Sequence, residues 1–446
     1  MPAQSDTWWQ LRAGQDMWQS GRLMLSDEYT HTVAGQRWPN HEWLTQVLFF
    51  AAHEAGGMAL LTGLCALAVT LAWAIVSSLT PGSPLVRVAL LGSGVVLTAG
   101  SLSLRPQVLT MTFFAATLWI LVRRRGVWTL PLLFLLWANL HGAVALGGVL
   151  IVAAVIASFI TGDGSLRPLG VVGGLCLAAT ALTPLGWSLW LEVPFSFQRL
   201  QAYGVNEWRA PALRNATEIG FWVFGGGTVG LMVIRRHLLR STPMMMLAIS
   251  TALLFLAAVR SGRNITPFVL CATPVLATLL QTRGLGQRIR ERGLIAPNAA
   301  LLAATLAGGV FYISHAWNAP LPRMQWTPMS SEAVAAISAC EGRLYNRYDE
   351  GGYLIWFMQD RKVFMDSRQD PFPEDLVMEH IRVEESGDYR AMFDRYEIGC
   401  ALTPHHSVLS ARLKEHGWTE RRAGHAWNVY SRPGIRVSSQ AGARVL

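Results

Sequence analysis

The stretch from Met58 to Val86, MALLTGLCALAVTLAWAIVSSLTPGSPLV, contains no Asp, Glu, Lys or Arg. A helix needs about 20 apolar residues to cross the hydrocarbon of a bilayer, and this run supplies them without interruption. Reading outward from it, the whole chain has the same bias. Of 446 residues 52% are hydrophobic and only 15% are charged, against roughly 25% charged in soluble domains. Disordered, collagenous and disulfide-scaffold classes are excluded by the apolar content and by five cysteines spread along the chain. The chain is expected to be an α-helical polytopic membrane protein.

Apolar segments place candidate spans at 57–79, 88–104, 107–122, 127–140, 142–161, 168–190, 219–234, 243–259, 264–282 and 295–314, about ten transmembrane helices in all. The net charge of +9 sits in three short loops, Arg123 to Arg125, Arg235 with Arg236 and Arg240, and Arg283, Arg288, Arg290 and Arg292. Such loops mark the cytoplasmic edge under the positive-inside rule. Four spans separate the first two clusters and two separate the second from the third. Even numbers are what a shared face requires. The charge therefore reports topology, and no nucleic-acid partner is expected. The opposite, external face receives residues 1–56, Arg105, the Asn139-Leu140-His141 turn, loop 191–218, the Arg260 to Arg263 turn and everything after about 315.

The expected domains are an external loop with interfacial helices (1–56), a transmembrane domain (57–314), an external α/β domain (315–436) and a disordered tail (437–446). In the first, Trp8 to Gln19 reads as a helix with Ser5 or Asp6 as its cap, and Glu42 to Glu54 as a second helix. In the third, Leu344 to Asn346, Lys362 to Met365 and Ile398 to Leu402 read as strands. Tyr353 to Met358 (after Gly351-Gly352), Leu376 to Val383 and Val408 to His416 read as helices. Cys65, Cys176 and Cys271 fall in spans. Cys340 and Cys400 fall in the tail, where an oxidising compartment permits pairing that spacing alone does not decide.

The leading segment reads Asp6-Thr7-Trp8-Trp9, then Gly14, Gly21, Asp27, Thr30, Gly35, Trp38 and His41-Glu42-Trp43. Later come Leu104-Arg105-Pro106-Gln107, Trp137-Ala138-Asn139-Leu140-His141-Gly142, Thr183-Pro184-Leu185-Gly186, Asn206-Glu207-Trp208 and Arg260-Ser261-Gly262-Arg263-Asn264. The tail adds Asn346 to Tyr353 and Phe364-Met365-Asp366-Ser367-Arg368. In this order they resemble bacterial polytopic membrane proteins related to class C (GT-C) glycosyltransferases. That superfamily includes protein mannosyltransferases, aminoarabinose transferases and oligosaccharyltransferases. The resemblance implies a GT-C-like fold and an acidic residue essential for glycosyl transfer in the loop after a first helix, here Asp6. It also implies a transmembrane helix upstream of Asp6 and a polyprenyl-phosphate-linked sugar as donor.

Such a transfer needs a carboxylate to take the acceptor's proton, cations to hold phosphate, and an apolar groove for the prenyl chain. Asp6 is the expected base. Arg105, Arg260 and Arg263, at external helix ends, are the expected phosphate partners, although arginines there also snorkel to headgroups. His41, Glu42, Asn139, His141 and Glu207 are expected to shape the acceptor cavity, with Asp366 and Arg368 reaching it from the tail. The alternative for Asn139 and His141 is closing a tight turn, and for Asp366 and Arg368 it is pairing with each other. His41-Glu42 lacks the second histidine of an H-E-x-x-H helix, because position 45 is Thr45. No metal site is expected, and a divalent cation is the one cofactor left open. No D-x-D triplet, P-loop, G-x-S-x-G or C-x-x-C occurs. The expected function is an integral-membrane glycosyltransferase of the bacterial inner membrane, acting at its external, periplasmic face on a glycan, lipid or protein acceptor. The alternative is a non-catalytic lipid- or glycan-binding or transport protein on the same scaffold.

Overall fold

The computed structural model describes residues 1–191, 208–281, 295–318 and 322–434. The helices in chain order are α1 Ser5–Ser20, α2 Trp43–Leu79, α3 Pro84–Thr98, α4 Gln107–Arg123, α5 Leu130–Leu140, α6 Ala145–Thr161, α7 Leu166–Thr180, α8 Ala216–Ile234, α9 Thr242–Arg260, α10 Ile265–Leu280 and α11 Ile295–Asn318. The tail adds α12 Ser331–Ser338, β1 Arg343–Tyr345, α13 Tyr348–Phe357, α14 Glu374–Ser386, α15 Arg390–Arg395, β2 Ile398–Pro404, α16 Val408–Glu415, β3 Thr419–Ala423 and β4 Trp427–Ser431.

Two compact units result. The first comprises Ala55–Val193 and Gly204–Ala319 together with Met1, and the second Pro2–Glu54, Pro194–Tyr203 and Pro320–Leu446. The backbone of α2 leaves the helical region at Gly56 and Gly57, the latter at φ +63°, ψ −163°, which only glycine adopts readily. The pair lies at the start of the charge-free run, which begins after Glu54. Elsewhere a break of this kind would be ascribed to proline or an inserted side chain; here the Gly-Gly pair suffices.

In the first unit α10 is the central helix. Every residue from Thr266 to Ala277 is buried. Small residues let its neighbours close in, as is general where helices meet in lipid. A methyl on Gly94 of α3 would lie 2.4 Å from Trp73 and 3.3 Å from Val269, and one on Gly225 of α8 would lie 2.5 Å from Phe255. Large apolar side chains such as Leu85, Phe159, Val223 and Ile234 point outward, each more than 70% exposed, which suits lipid and not water. Helices fall at the expected apolar segments. Among the described residues six of these, 43–79, 84–101, 142–161, 216–234, 242–260 and 262–280, are long and apolar enough to cross a membrane. The helices at 107–123, 127–140 and 166–180 are shorter. The chain is thus a multi-pass membrane protein. The expected span 168–190 stops at Thr180, where the chain enters a turn through Pro184.

The second unit joins the leading segment to the tail. Its four-stranded sheet has the order β1-β2-β4-β3, with β1 parallel to β2 and the other pairs antiparallel. Neighbouring residues on β1, β2 and β4 feed two cores, with a register shift beside Ile398. Leu344, Cys400, Leu402 and Val429 face one core, which includes Trp9, Ala13 and Met17 of α1. Tyr345, Ile398, Ala401 and Tyr430 face the other, with Phe393, Leu376 and Leu409. Cys340 and Cys400 form a disulfide closing 60 residues of chain, worth about 4 kcal/mol in the chain-entropy account.

Three local expectations are corrected. The cap of α1 is Gln4, whose side chain and that of Thr7 form a reciprocal box; neither Ser5 nor Asp6 caps it. Gly351-Gly352 lies inside α13 and does not precede it. A methyl on Gly351 would sit 2.1 Å from the Met365 carbonyl, and one on Gly352 would sit 2.1 Å from that of Ser5, so α13 packs too closely for any other residue. Residues 362–365 form no strand. Val363 makes a single bridge to Thr30, and the Asn346 amide takes the place of a neighbouring strand. Its Oδ1 accepts from Phe364 N–H at 2.8 Å, and its Nδ2 donates to the Met365 carbonyl at 2.7 Å.

Candidate functional site

Asp6 stands in the first turn of α1 and is half-buried. Its Oδ1 accepts from the Ser367 hydroxyl and, at 3.3 Å, from the Trp9 indole N–H, which also lies 3.2 Å from Ser367 Oγ. Two donors on one carboxylate oxygen fix its direction. The sequence pointed to Asp6 but not to Ser367, which lies between Asp366 and Arg368 and carries no motif of its own.

Asp366 and Arg368 hold that loop. Arg368 Nε and Nη2 meet Asp366 Oδ1 and Oδ2 at 2.8 and 2.6 Å, and Nη2 also reaches Asp27. All these side chains are fully enclosed. Asp27 is fixed in turn by Thr30, whose N–H and hydroxyl donate to Oδ2 at 3.1 and 2.7 Å. The guanidinium lies 5.0 Å from the ring centre of Tyr29 and 4.8 Å from that of Trp38. Burial raises the Asp366 carboxyl above its ordinary range. Burial opposes the charge on Arg368 too, but Asp366 and Asp27 together outweigh it and raise the guanidinium, so the arginine stays charged. The expectation that Asp366 and Arg368 touch an acceptor is therefore replaced by the pairing alternative: enclosed and saturated with each other, they fasten the tail loop to the leading segment.

His41 and Glu42 stay close to Asp6's helix. Gln10 of α1 donates to Glu42 Oε2. His41 lies 3.8 Å from Glu42 and 3.9 Å from Asp370, and its Nδ1 is 3.2 Å from the Pro39 carbonyl. Gln10 is buried, so Glu42 is tied to a fixed point on α1. Among the described residues no group of three or more His, Cys, Asp or Glu is arranged to hold a metal ion.

The remaining candidates belong to the helical unit. Thr110 Oγ1 is 2.8 Å from His141 Nδ1 and accepts from the Trp137 indole at 2.9 Å, and Ala143 N–H donates to the same Nδ1 at 3.3 Å. This network assigns the ring proton to Nε2. Asn139 donates to the Leu135 and Leu182 carbonyls at 2.9 and 3.1 Å. Both residues thus brace the turn between α5 and α6. Ser101 bonds Thr266 at 2.8 Å, and Gly262 N–H donates to the Arg209 carbonyl at 3.0 Å. The Arg263 guanidinium lies 4.8 Å over Trp208. These links gather the turns carrying Arg105, Asn139, His141, Arg260 and Arg263 at one end of the helices. Arg123, Arg124 and Arg235 lie at the other, bonded to Ser78, Asp163 and Leu279. Glu207 and the third arginine cluster, Arg283 to Arg292, lie outside the described residues. Asp6, His41, Glu42, Asp366 and Arg368 belong to one unit and the arginines to the other.

No protein-family profile matches the chain, and no curated protein matches it. Solved structures do. The oligosaccharyltransferase of Archaeoglobus fulgidus in its apo form matches with a TM-score of 0.57 at 12% identity, over 90% of this chain and 66% of that one. The same enzyme tethered by a disulfide to an acceptor peptide containing the NVT sequon matches with a TM-score of 0.52 at 12% identity, over 90% and 65%. The chain thus spans about two thirds of the archaeal enzyme's length. At this identity the likeness establishes the fold alone, which the chain shares with the archaeal enzyme over 90% of its own length.

Proposed function

We propose that the protein is an integral-membrane glycosyltransferase that moves a sugar from a polyprenyl-phosphate donor to an acceptor at the external, periplasmic face of a bacterial inner membrane. The observation that carries this reading is the state of Asp6. Asp27 and Asp366 are sealed inside the second unit, whereas Asp6 is half-exposed and aimed by Ser367 and Trp9. The GT-C-like fold supports it, and the Cys340–Cys400 disulfide suits an oxidising compartment.

In the reaction, an acceptor hydroxyl or amide attacks the sugar's anomeric carbon. The bond from that carbon to the phosphate oxygen breaks, and polyprenyl phosphate leaves with the electron pair. The acceptor's proton passes to Asp6 and then to water. On the helical unit Arg105, Arg260 and Arg263 are the cations suited to hold the donor's phosphate. On the second unit Glu42, held by Gln10, and His41 are the groups offered to the acceptor. Asp366, Arg368, Asn139 and His141 serve by holding backbone in place. Since the archaeal neighbour has been crystallised with a peptide acceptor, a polypeptide is one acceptor class to try alongside glycans and lipids. No step is assigned to a divalent cation.

The test is to supply full-length protein in bilayers with radiolabelled polyprenyl-phosphate sugar. The reading expects label to leave the lipid, with free polyprenyl phosphate appearing in equal amount. Tight retention of the intact donor without turnover favours the non-catalytic alternative.

A further inference from the structure

At the arginine-rich end of the helices the turn Arg123-Arg124-Arg125-Gly126 has left-handed backbone at Arg124 (φ +55°) and Gly126 (φ +71°). It sends its arginines to different sides. Arg124 is locked to Asp163, which is itself fixed by Ser158 and Ser165, so its charge is neutralised within the protein. Arg123 and Arg125 instead border a separate hollow of about 470 Å³, lined also by Ser78, Trp119 and Val122. Arg123 spends one nitrogen on the Ser78 carbonyl at 2.7 Å, and a guanidinium has further N–H donors to offer. Arg125 makes no hydrogen bond or ion pair among the described residues, and both arginines are exposed. Among the described residues the hollow thus has two uncompensated cations beside an aromatic ring, at the end of α4 and next to that of α2.

It continues into an apolar track. Below Ser78, on the same face of α2, lie Ala74, Leu71, Leu67 and Leu64, spaced three or four residues apart and all exposed. From Ser78 to Leu64 the track is about 21 Å long at the rise of an α-helix, more than the roughly 15 Å of one leaflet's hydrocarbon.

We propose that this hollow is a binding site for an anionic glycerophospholipid. The phosphate sits between Arg123 and Arg125, and one acyl chain lies along Leu71, Leu67 and Leu64. Charge complementarity selects the anionic headgroup over a zwitterionic one, and the track selects a lipid over a soluble phosphate. This site lies at the opposite end of the helices from Arg105, Arg260 and Arg263, and it does not depend on the chain being a transferase.

The test is native mass spectrometry of the full-length protein released from micelles containing phosphatidylglycerol and phosphatidylcholine with identical chains. Preferential retention of phosphatidylglycerol is expected. A juxtamembrane arginine contributes roughly a fivefold change in affinity, so the double variant R123Q/R125Q should lower retention by about 25-fold. R123K/R125K should hold it, and R124Q should leave it unchanged. Equal retention of the two lipids overturns the proposal, as does full retention by R123Q/R125Q in protein that elutes as wild type. Displacement by millimolar inorganic phosphate would also overturn it, since the site would then take phosphate without the chain.

Discussion

Arg368 is the residue on which the second unit turns. Its positive charge is enclosed with two carboxylates and two aromatic faces. Removing one partner of a buried ion pair leaves an uncompensated charge, typically at about 3–5 kcal/mol. Arg368→Met would leave Asp27 and Asp366 facing each other without their cation, whereas Asp27→Asn leaves a neutral Arg368–Asp366 pair. The arginine variant should therefore lower the thermal midpoint of the detergent-solubilised protein clearly more than the aspartate variant. Equal loss would mean that the triad does not act as a charge unit. At this scale the sequence was a partial guide. Asp27, Asp366 and Arg368 were visible as scarce charges, but that they meet one another across the chain, and that Ser367 meets Asp6, depends on packing that no local pattern records.

Among the elements, α13 joins the two ends of the chain. Gly352 rests against the Ser5 carbonyl at the start of α1, so Gly352→Ala forces the helices apart. We expect loss of several degrees in thermal midpoint, while Gly148→Ala, with nothing near its added methyl, should be close to neutral. The same helix carries a buried acid. Burial pushes the Glu350 carboxyl up to about 7, with Arg347 opposing and Asp349 and Glu384 reinforcing the rise. The folded protein thus holds a proton on Glu350 that the unfolded chain releases near its ordinary value of about 4.5. Glu350's contribution to stability is complete below about pH 4.5, declines as pH rises toward 7, and stays lost above it. His380, pushed down to about 4 by burial and Arg347, acts in the opposite sense, losing stability as pH falls from about 6.5 to about 4. Comparison of wild type with Glu350→Gln isolates the first effect: the variant should be more stable at pH 8 and little changed at pH 5. A difference independent of pH would show that Glu350 is not titrating there. The elements themselves were largely legible, because apolar runs and 3.6-residue periodicity survive without tertiary context. The misreadings arose where glycine was taken as punctuation although it served contact, at Gly351-Gly352, and where the Asn346 side chain stood in for a strand at 362–365.

For the molecule as a whole, the membrane character and the segregation of polar motifs from arginine clusters followed from composition and charge placement. The same physics, exclusion of charge from hydrocarbon, governs both. The union of residues 2–54 with 322–434 in one folded unit did not follow, since long-range packing leaves no periodic trace. The Cys340–Cys400 bond sits inside that unit, so reduction should lower its unfolding midpoint and leave the helical unit's far-ultraviolet signal intact. The account as a whole rests on Asp6 as the proton acceptor in glycosyl transfer. Its most direct test is transfer from radiolabelled polyprenyl-phosphate sugar by membranes holding equal amounts of wild-type protein and Asp6→Asn. General-base catalysis accounts for about 10²- to 10⁴-fold in rate, so the variant should lose at least about a hundredfold with its fold and abundance unchanged. Transfer by Asp6→Asn at the wild-type rate would contradict the account.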